Sequence, residues 1–297
     1  MFFSEDKLFQ DFLSFCHAQL LTKDVDPVYP LLERLYSHFT PEEALWHTLL
    51  YVSYYHLGSV TRVYPHTPVR SALPAQFARL SCATERRGFR GGTISKHLLS
   101  VQEITRPYES LTAFFQEGLS RSDPYANWQT LTDRLQRFWG NGRWAAYKTC
   151  EILMSVHHYP LVAPNMGNEF SSGPRQGLAL FYPTVVGNTP QAVRILDEQG
   201  EDLLRRVHKH DIVLHIAQLE TMLCDFHAVY EGRYYIGHDI DQMLAQLYTL
   251  SPLEAKELFS LRAELFPDAY LGEVHGWNGP DRVRKTLYKK TGVLLLR

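Results

Sequence analysis

The stretch FWGNGRWAAYKTCEIL, residues 138–153, decides how the neighbouring chain folds. Gly140 and Gly142 stand one residue apart at the start of a strongly helical run, and Arg143 follows them directly. Because glycine adopts positive φ without strain, this spacing predicts a tight turn between two helices. Amides at a helix N-terminus point towards anions. The turn therefore either grips a nucleic-acid phosphate or only joins two helices.

Helix signals dominate the chain on both sides of this turn. In TPEEALWHTLLYVSYYHLG, Thr40 and Glu43 form a capping box and Gly58 marks an expected end. Ser251 and Glu254 repeat the capping pattern. The apolar periodicity predicts helices near residues 4–21, 40–58, 107–118, 124–139, 143–157, 189–198, 201–230, 240–249, 251–266 and 280–290. Only RYYIGH (233–238) and GVLLLR (292–297) are weak strand candidates, so the sequence predicts an all-α protein.

Length and composition bound the class of protein. The 297 residues can form a single helical domain over 1–297 or two lobes. A net charge of −2 excludes a globally basic coat protein but leaves local basic patches open. The four scattered cysteines suit a reducing cytoplasm and argue against a zinc knuckle. We find no signal-peptide pattern and no apolar run of about 20 residues, and therefore expect a soluble, intracellular protein with no membrane partner.

Two stretches are more basic than this average. Residues 61–107 contain eight Lys and Arg residues against two acids, and residues 282–297 contain six against none. The C-terminal stretch fits a solvated face as well as an anion site. In the first stretch, TERRGFRGGT sets three arginines among glycines, so that amides and guanidinium groups can converge on an anion. These are Arg86, Arg87 and Arg90.

The turn and the run NWQTLTDRLQRF before it resemble the helix-hairpin-helix of the DNA glycosylase superfamily, whose members flip a base and cleave its glycosidic bond. The resemblance places a hairpin near residues 128–157. It implies a carboxylate beyond the hairpin, where this chain has Asn165, and in the bifunctional enzymes a lysine at the position of Trp144. We therefore expect a glycosylase-like fold without the excision chemistry. The candidate DNA contacts are Gly140, Asn141, Gly142, Arg143 and Lys148.

Four stretches that span roughly residues 54–244 resemble a narrower family: YYHLGSVTRVY, FWGNGRWAAYKTCEIL, NEFSSGPRQGL and LETMLCDFHAVYEGRYYIGHDIDQML. They are similar to the amino acid:DNA transferases of tailed bacteriophages, also called α-glutamyl/putrescinyl thymine pyrophosphorylases. The resemblance implies a transferase that joins an amine to the 5-methylene carbon of phosphate- or pyrophosphate-activated 5-hydroxymethyluracil, making a hypermodified thymine.

The resemblance also implies the partners. They are double-stranded DNA that carries the activated base and a free amino acid, with glycine as the favoured donor and serine, glutamate and putrescine left open. We expect no cofactor and no metal, because substitution at an activated carbon needs no metal in principle, and no protein partner is evident. A phage-encoded chain would act in the host cytoplasm.

Such a substitution needs three kinds of residue. Arginines stabilise the departing phosphate or hold the donor's carboxylate; the candidates are Arg62, Arg86, Arg87, Arg90, Arg143 and Arg175. A carboxylate or histidine takes the proton of the amine; Asp239 leads, with His238 beside it and Asp225 in reserve. Aromatic side chains wall the pocket of a flipped base; the candidates are Tyr54, Tyr55, Tyr64, Trp144 and Tyr147.

Each candidate also has a structural interpretation. Asp239 or Asp241 could cap the helix DIDQMLAQLY, and Lys148 could be merely exposed. His227 and His238 match no zinc spacing and are more often structural. Two rival functions stay open: a base-excision glycosylase with a displaced carboxylate, and a non-catalytic helix-hairpin-helix DNA-binding protein.

Overall fold

The computed structural model describes residues 5–267, with side chains from Lys7 onward. Every regular element in that range is helical, which confirms the all-α prediction. The α-helices are α1 (Glu5–Thr22), α2 (Val28–Tyr36), α3 (Pro41–Tyr54), α4 (Leu57–Val63), α5 (Ile94–Thr105), α6 (Leu111–Gln116), α7 (Pro124–Leu135), α8 (Arg143–Ser155), α9 (Gly173–Leu178), α10 (Pro190–His208), α11 (Ile216–Tyr230), α12 (His238–Leu247) and α13 (Pro252–Leu265). Short 3₁₀ helices occupy Tyr64–His66, Ala75–Phe77 and Thr84–Phe89.

Several sequence predictions concern the ends of the chain. The helix near 280–290, the strand candidate GVLLLR and the basic stretch 282–297 lie outside the described residues. The strand candidate RYYIGH is wrong, because these residues form a turn with Gly237 at φ 93° that leads into α12. Within residues 5–267, no helix combines the length and the apolar character needed to span a membrane.

The chain divides into two compact units. Within the described residues, the first unit comprises 5–27, 163–242 and 266–267 and contains α1, α9, α10, α11 and the start of α12. The second comprises 28–162 and 243–265 and contains α2 to α8, the end of α12 and α13. Each unit therefore joins segments that are far apart in the sequence.

Aromatic side chains from α1 and α11 fill the core of the first unit. The ring of Phe226 lies 5.0 Å from that of Phe12 and 5.4 Å from that of Phe15, and all three are buried. Helix α9 lies so close to α11 that a Cβ atom at Gly177 would collide with the backbone carbonyl oxygen of Leu223. Burial of such aromatic rings supplies much of the stability of this core.

Helix α3 forms the centre of the second unit. Its N-terminus has the predicted capping box. The side chain of Thr40 accepts a hydrogen bond from the amide of Glu43, and the carboxylate of Glu43 accepts one from the amide of Thr40. The predicted end at Gly58 is wrong. The helix ends at Tyr54, since Tyr55 adopts a left-handed conformation with φ 46°, and Gly58 lies in α4 where it allows close packing against the backbone of Gln246.

The predicted helices 189–198 and 201–230 have the wrong boundary. Helix α10 continues through Gly200. A side chain at this position would collide with Met166, so the glycine allows close packing and does not end the helix. The break lies at residues 209–215, where Asp211 has φ 59° and His215 accepts from the amide of Gln218 to begin α11.

Candidate active site and DNA-binding surface

A buried carboxylate, Asp24, lies at the N-terminus of α12. Its Oδ1 accepts a hydrogen bond from the amide of Ile240 at 3.0 Å. Its Oδ2 accepts hydrogen bonds from the amide of Gly237 at 2.6 Å and from the hydroxyl of Tyr234 at 2.8 Å. Amides at the start of a helix lack partners within it. Asp24 supplies them here, so it, and not Asp239, accepts from these two amides.

A second buried carboxylate, Asp225 on α11, is linked to Asp24 through side chains. The Nε2 of Gln19 on α1 donates to Asp225 at 3.4 Å and to the hydroxyl oxygen of Tyr234 at 3.1 Å. That hydroxyl donates in turn to Asp24. Gln19 and Asp24 have no exposed surface, and Asp225 is 9% exposed. The path Asp225–Gln19–Tyr234–Asp24 is thus a continuous buried network.

His238 and Asp239 form the more exposed side of the same region. The Nδ1 of His238 lies 2.8 Å from Oδ1 of Asp239, and the two side chains are 18% and 29% exposed. The ring of His238 packs 4.8 Å from that of Tyr234. Asp241, one turn further along α12, is buried and accepts from the hydroxyl of Tyr235.

The proximity of these carboxylates changes their proton affinities. Burial and then the negative charge of Asp239 raise the pKa of Asp24 to about 7, although its hydrogen bonds favour the charged form. Burial and then repulsion from Asp239 and Asp24, and less strongly from Asp26 and Glu220, hold the pKa of Asp225 well above its usual range.

His238 shifts in the complementary direction. Burial alone would lower its pKa, but the hydrogen bond to Asp239 and the charges of Asp239, Asp24 and Asp241 outweigh that effect. The pKa of His238 therefore stands above its ordinary value, and the imidazolium form is favoured beside Asp239.

We call these residues the acidic cluster: Gln19, Asp24, Asp225, Tyr234, His238 and Asp239. Three of them, Asp225, His238 and Asp239, are the catalytic candidates from the sequence, and the fold brings them together. Among residues 5–267, no three His, Cys, Asp or Glu side chains are placed to hold a metal ion together.

The connection between α7 and α8 carries the two glycines of the predicted turn. Gly140 has φ 81°, and a Cβ atom there would lie 2.6 Å from Cε1 of Phe89. Gly142 has φ −90° and ψ −175°, an extended conformation open to any residue, and it is the N-cap of α8. The tolerance of glycine for positive φ is therefore needed at Gly140 and not at Gly142.

Arg86 joins the basic stretch to this connection. Its Nη2 donates to Oδ1 of Asn141 at 3.1 Å, its Nε donates to the carbonyl of Ser53 at 3.3 Å, and its guanidinium lies 4.1 Å from the ring centre of Phe89. The side chain is only 5% exposed, and burial lowers its pKa to about 10. Arg86 therefore holds the connection in place, and we do not propose a substrate contact for it.

Basic and aromatic residues that are exposed or half-buried surround the connection. Arg87, Arg90 and Arg143 are exposed. The Nζ of Lys96 lies 4.3 Å from the ring centre of Trp139. The rings of Tyr55 and Trp144 meet edge to face at 4.9 Å. We call this region the turn surface: Tyr55, Arg87, Arg90, Lys96, Trp139, Gly140, Asn141, Gly142, Arg143 and Trp144.

Two other arginines predicted to bind substrate have structural partners. Arg62 forms a 3.2 Å ion pair with Glu254 and donates to the carbonyl of Thr249 at 2.7 Å. Arg175 donates to the backbone carbonyls of Asn168 and Gly187 and to the side chain of Asn188. These hydrogen bonds use N–H groups on all three guanidinium nitrogens of Arg175. The side chain therefore stabilises the loop after α9.

Lys148 was a candidate phosphate contact, with exposure as the alternative. The structure buries it to 7% exposure and pairs its Nζ with Glu151 at 2.8 Å. Because the side chain is buried, the alternative of simple exposure is wrong. A buried, ion-paired lysine cannot reach a phosphate, and we propose no DNA contact for Lys148.

Asn165, which the sequence comparison with glycosylases expected at the position of their carboxylate, donates a hydrogen bond to a carboxylate on α10. Its Nδ2 lies 3.3 Å from Oδ2 of Asp197 on α10, and the Nδ2 of Asn168 lies 3.0 Å from Oδ1 of the same residue. Burial, and less strongly the negative charges of Glu201 and Glu169, raises the pKa of Asp197 despite these hydrogen bonds. No pattern in the sequence predicts this pairing.

A depression of about 460 Å³ in the second unit has aromatic walls that include Tyr36, Phe39 and His157. Behind it, the hydroxyl of Tyr36 lies 2.9 Å from Nδ1 of His47 and 3.0 Å from Oγ1 of Thr48, which lies 2.8 Å from Nε2 of His157. Burial and then the charge of His158 lower the pKa of His157 to about 4, so this network is neutral near pH 7.

Of the aromatic residues expected to wall a base pocket, the structure buries Tyr54 and Tyr147. Tyr64 stacks on Phe39 at 5.0 Å, and Tyr55 and Trp144 are half-buried at the turn surface.

The model of the amino acid:DNA transferase family matches residues 21–235, more than two thirds of the chain. The chain belongs to this family. It is accordingly a DNA-modifying transferase, with DNA as a substrate. No curated protein matches the chain at a significant level.

The matched range of the transferase contains Asp24, Asp225 and Tyr234 and ends before His238 and Asp239. It also contains the whole turn surface. Two of the three carboxylates in the acidic cluster therefore lie within the residues that the family model matches.

Proposed function

We propose that this transferase joins an amino acid, with glycine the favoured donor, to the 5-methylene carbon of phosphate- or pyrophosphate-activated 5-hydroxymethyluracil in double-stranded DNA. The observation that carries the proposal is the acidic cluster, in which buried Asp225 has a raised pKa beside the His238–Asp239 pair. An amine nucleophile needs such a proton acceptor, whereas a protein that only binds DNA does not.

The chemistry begins with the donor ammonium. A carboxylate of the cluster takes one proton from R–NH3+ and leaves R–NH2 with a free electron pair. That nitrogen attacks the methylene carbon, the C–N bond forms as the C–O bond breaks, and phosphate or pyrophosphate leaves with the bonding electrons. The secondary ammonium then loses its second proton to the cluster or to water.

Asp225 fits the proton acceptor better than Asp239 does, which reverses the order suggested by the sequence. A general base is most effective when its pKa lies near the working pH. Burial and neighbouring charges move the pKa of Asp225 in that direction, while Asp239 is hydrogen-bonded to His238 and more exposed. We assign Asp225 as the base and the His238–Asp239 pair as the group that positions the donor.

The turn surface is the proposed DNA contact. The exposed guanidinium groups of Arg87, Arg90 and Arg143 can each meet a phosphate, and the first amides of α8 point towards the connection. Trp139 and Trp144 offer faces on which an unpaired base can stack. No side chain at Gly142 obstructs a close approach of the DNA backbone.

The test is to incubate the protein with duplex DNA in which 5-hydroxymethyluracil has been phosphorylated by a kinase, together with glycine. Enzymatic digestion and mass spectrometry of the nucleosides then identify the product. A nucleoside carrying one glycine supports the proposal. Unmodified nucleosides under conditions where the protein binds the DNA would contradict it.

A base-excision glycosylase is the second candidate. The observation that favours it is Asp197, a carboxylate that accepts hydrogen bonds from Asn165 and Asn168 and could replace the carboxylate missing at position 165. The same digest distinguishes the two activities, because excision leaves abasic sites and releases a free base.

A further inference from the structure

We propose that the acidic cluster binds the ammonium group of the amine donor before DNA is present. The ligand class is a primary ammonium compound, whether an amino acid or a simple alkylammonium ion. This inference rests on the proposed function, but it concerns binding and has a test that needs no transfer.

The first observation is an unsatisfied acceptor in the buried floor of the cluster. Gln19 has no exposed surface, and its Nε2 points to Asp225 and Tyr234, but within the described residues its Oε1 has no hydrogen-bond partner. A buried acceptor without a donor is unfavourable. An N–H group from a ligand beside Asp225 would satisfy it.

The second observation is the balance of charge. Neither Asp24 nor Asp225 forms an ion pair with a Lys, Arg or His side chain of residues 7–267. The two carboxylates instead repel each other, and the charge of Asp239 adds to that repulsion. One positive charge bound among them would relieve the repulsion and favour their ionised forms.

The available acceptors suit an ammonium group better than a metal ion. A divalent cation needs several oxygen ligands at about 2.0–2.6 Å around one point. The described residues offer no such group of three acidic, His or Cys side chains. An ammonium group has three N–H donors, and the proposed bonds are one each to Asp225, to the Oε1 of Gln19 and to a carboxylate at the rim.

The cluster is partly exposed on one side. Gln19 and Asp24 form the buried floor, whereas His238 and Asp239 are partly exposed at the rim. A bound ammonium would therefore lie next to Asp225, the residue to which it must give its proton. Binding and activation of the donor would use the same carboxylates.

The experiment measures ligand binding to the full-length protein without DNA, by saturation-transfer difference NMR. The probes are methylammonium, glycine and acetate, which carry a positive charge only, both charges and a negative charge only. We expect saturation transfer to methylammonium and glycine, competition between these two, and none to acetate. Mg²⁺ at the same concentration should not displace them.

Two variants locate the site, and one controls for surface charge. Asp225→Asn should weaken glycine binding at least about tenfold, the effect of losing one charge-assisted bond. Asp239→Asn, at the exposed rim, should also weaken it and is less apt to disturb folding. Asp211→Asn makes the same change at an exposed aspartate of the first unit, where Asn also tolerates the φ of 59°, and should leave binding unchanged.

The outcomes separate this site from the proposed function. If no ammonium compound binds, or if both cluster variants bind as tightly as wild type, this inference is overturned even where DNA transfer is observed. If ammonium compounds bind as expected but no DNA adduct forms, the site stands and the proposed reaction fails.

Discussion

The Nη2 atom of Arg86 lies 3.1 Å from Oδ1 of Asn141. This hydrogen bond joins the arginine-rich stretch to the glycine connection before α8, two features that are 55 residues apart in the sequence. Arg86 is buried and supports the connection, whereas Arg87 and Arg90 of the same stretch are exposed. Arg143, at the start of α8, is exposed as well. Only the exposed ones are expected to meet DNA.

Gly140→Ala should destabilise the protein by about 1–3 kcal/mol, the usual cost of a strained backbone conformation. The backbone there has φ 81°, and the new Cβ atom would lie 2.6 Å from the ring of Phe89. Thermal or urea unfolding measures this loss. A variant as stable as the wild type would show that the connection adopts another conformation in solution.

Gly142→Val should leave the fold largely intact and weaken DNA binding. The extended backbone at Gly142 accepts a side chain and no atom lies in its way, so the main change is a branched side chain at the N-terminus of α8. If a phosphate approaches these amides, we expect about tenfold weaker binding, or roughly 1.4 kcal/mol. Unchanged affinity in a folded variant would remove this glycine from the DNA interface.

DNA affinity should fall steeply with salt despite the net charge of −2. Arg87→Ala, Arg90→Ala and Arg143→Ala should each reduce the slope of log affinity against log salt by about 1, since each releases roughly one counterion fewer. Arg194→Ala, on the exposed side of α10, is the matched control. A slope that is flat, or equally altered by the control, would contradict the assignment.

Asp225→Asn should be at least as stable as wild type near neutral pH. The pKa of Asp225 is raised in the folded state, so the folded protein holds its proton longer than the unfolded chain does, and this stabilising contribution is lost as pH rises. Asparagine does not titrate, and it keeps an oxygen to accept from Gln19. The melting temperature of the variant relative to wild type should therefore increase from pH 4 upward; a difference that decreases would refute the raised pKa.

The sequence predicts the helical class because its local signals are strong, as in the capping box of Thr40 and Glu43. It misplaces helix ends at Gly58 and Gly200, because a glycine that allows close packing looks like one that ends a helix. The partners that require these glycines, Gln246 and Met166, are distant in the sequence. Periodicity alone carries no information about such contacts.

The same limit applies to the site. Asp225, His238 and Asp239 could be singled out because they fall within one short, polar-rich stretch. Asp24 could not, since it is 216 residues from Ile240, whose amide it binds, and it looks like an ordinary loop acid. Burial and mutual repulsion, which make these carboxylates chemically unusual, arise only when α1, α11 and α12 meet.

In the proposed reaction, Asp225 takes the proton of the amine donor. The direct measurement is the single-turnover rate of transfer from glycine to activated DNA, with thermal unfolding measured on the same samples of wild type, Asp225→Asn and Asp211→Asn. We predict that Asp225→Asn loses about 10²–10⁴-fold in rate, the usual contribution of a general base, while it stays folded and binds DNA. A loss below about tenfold, or an equal loss in Asp211→Asn, would contradict the account.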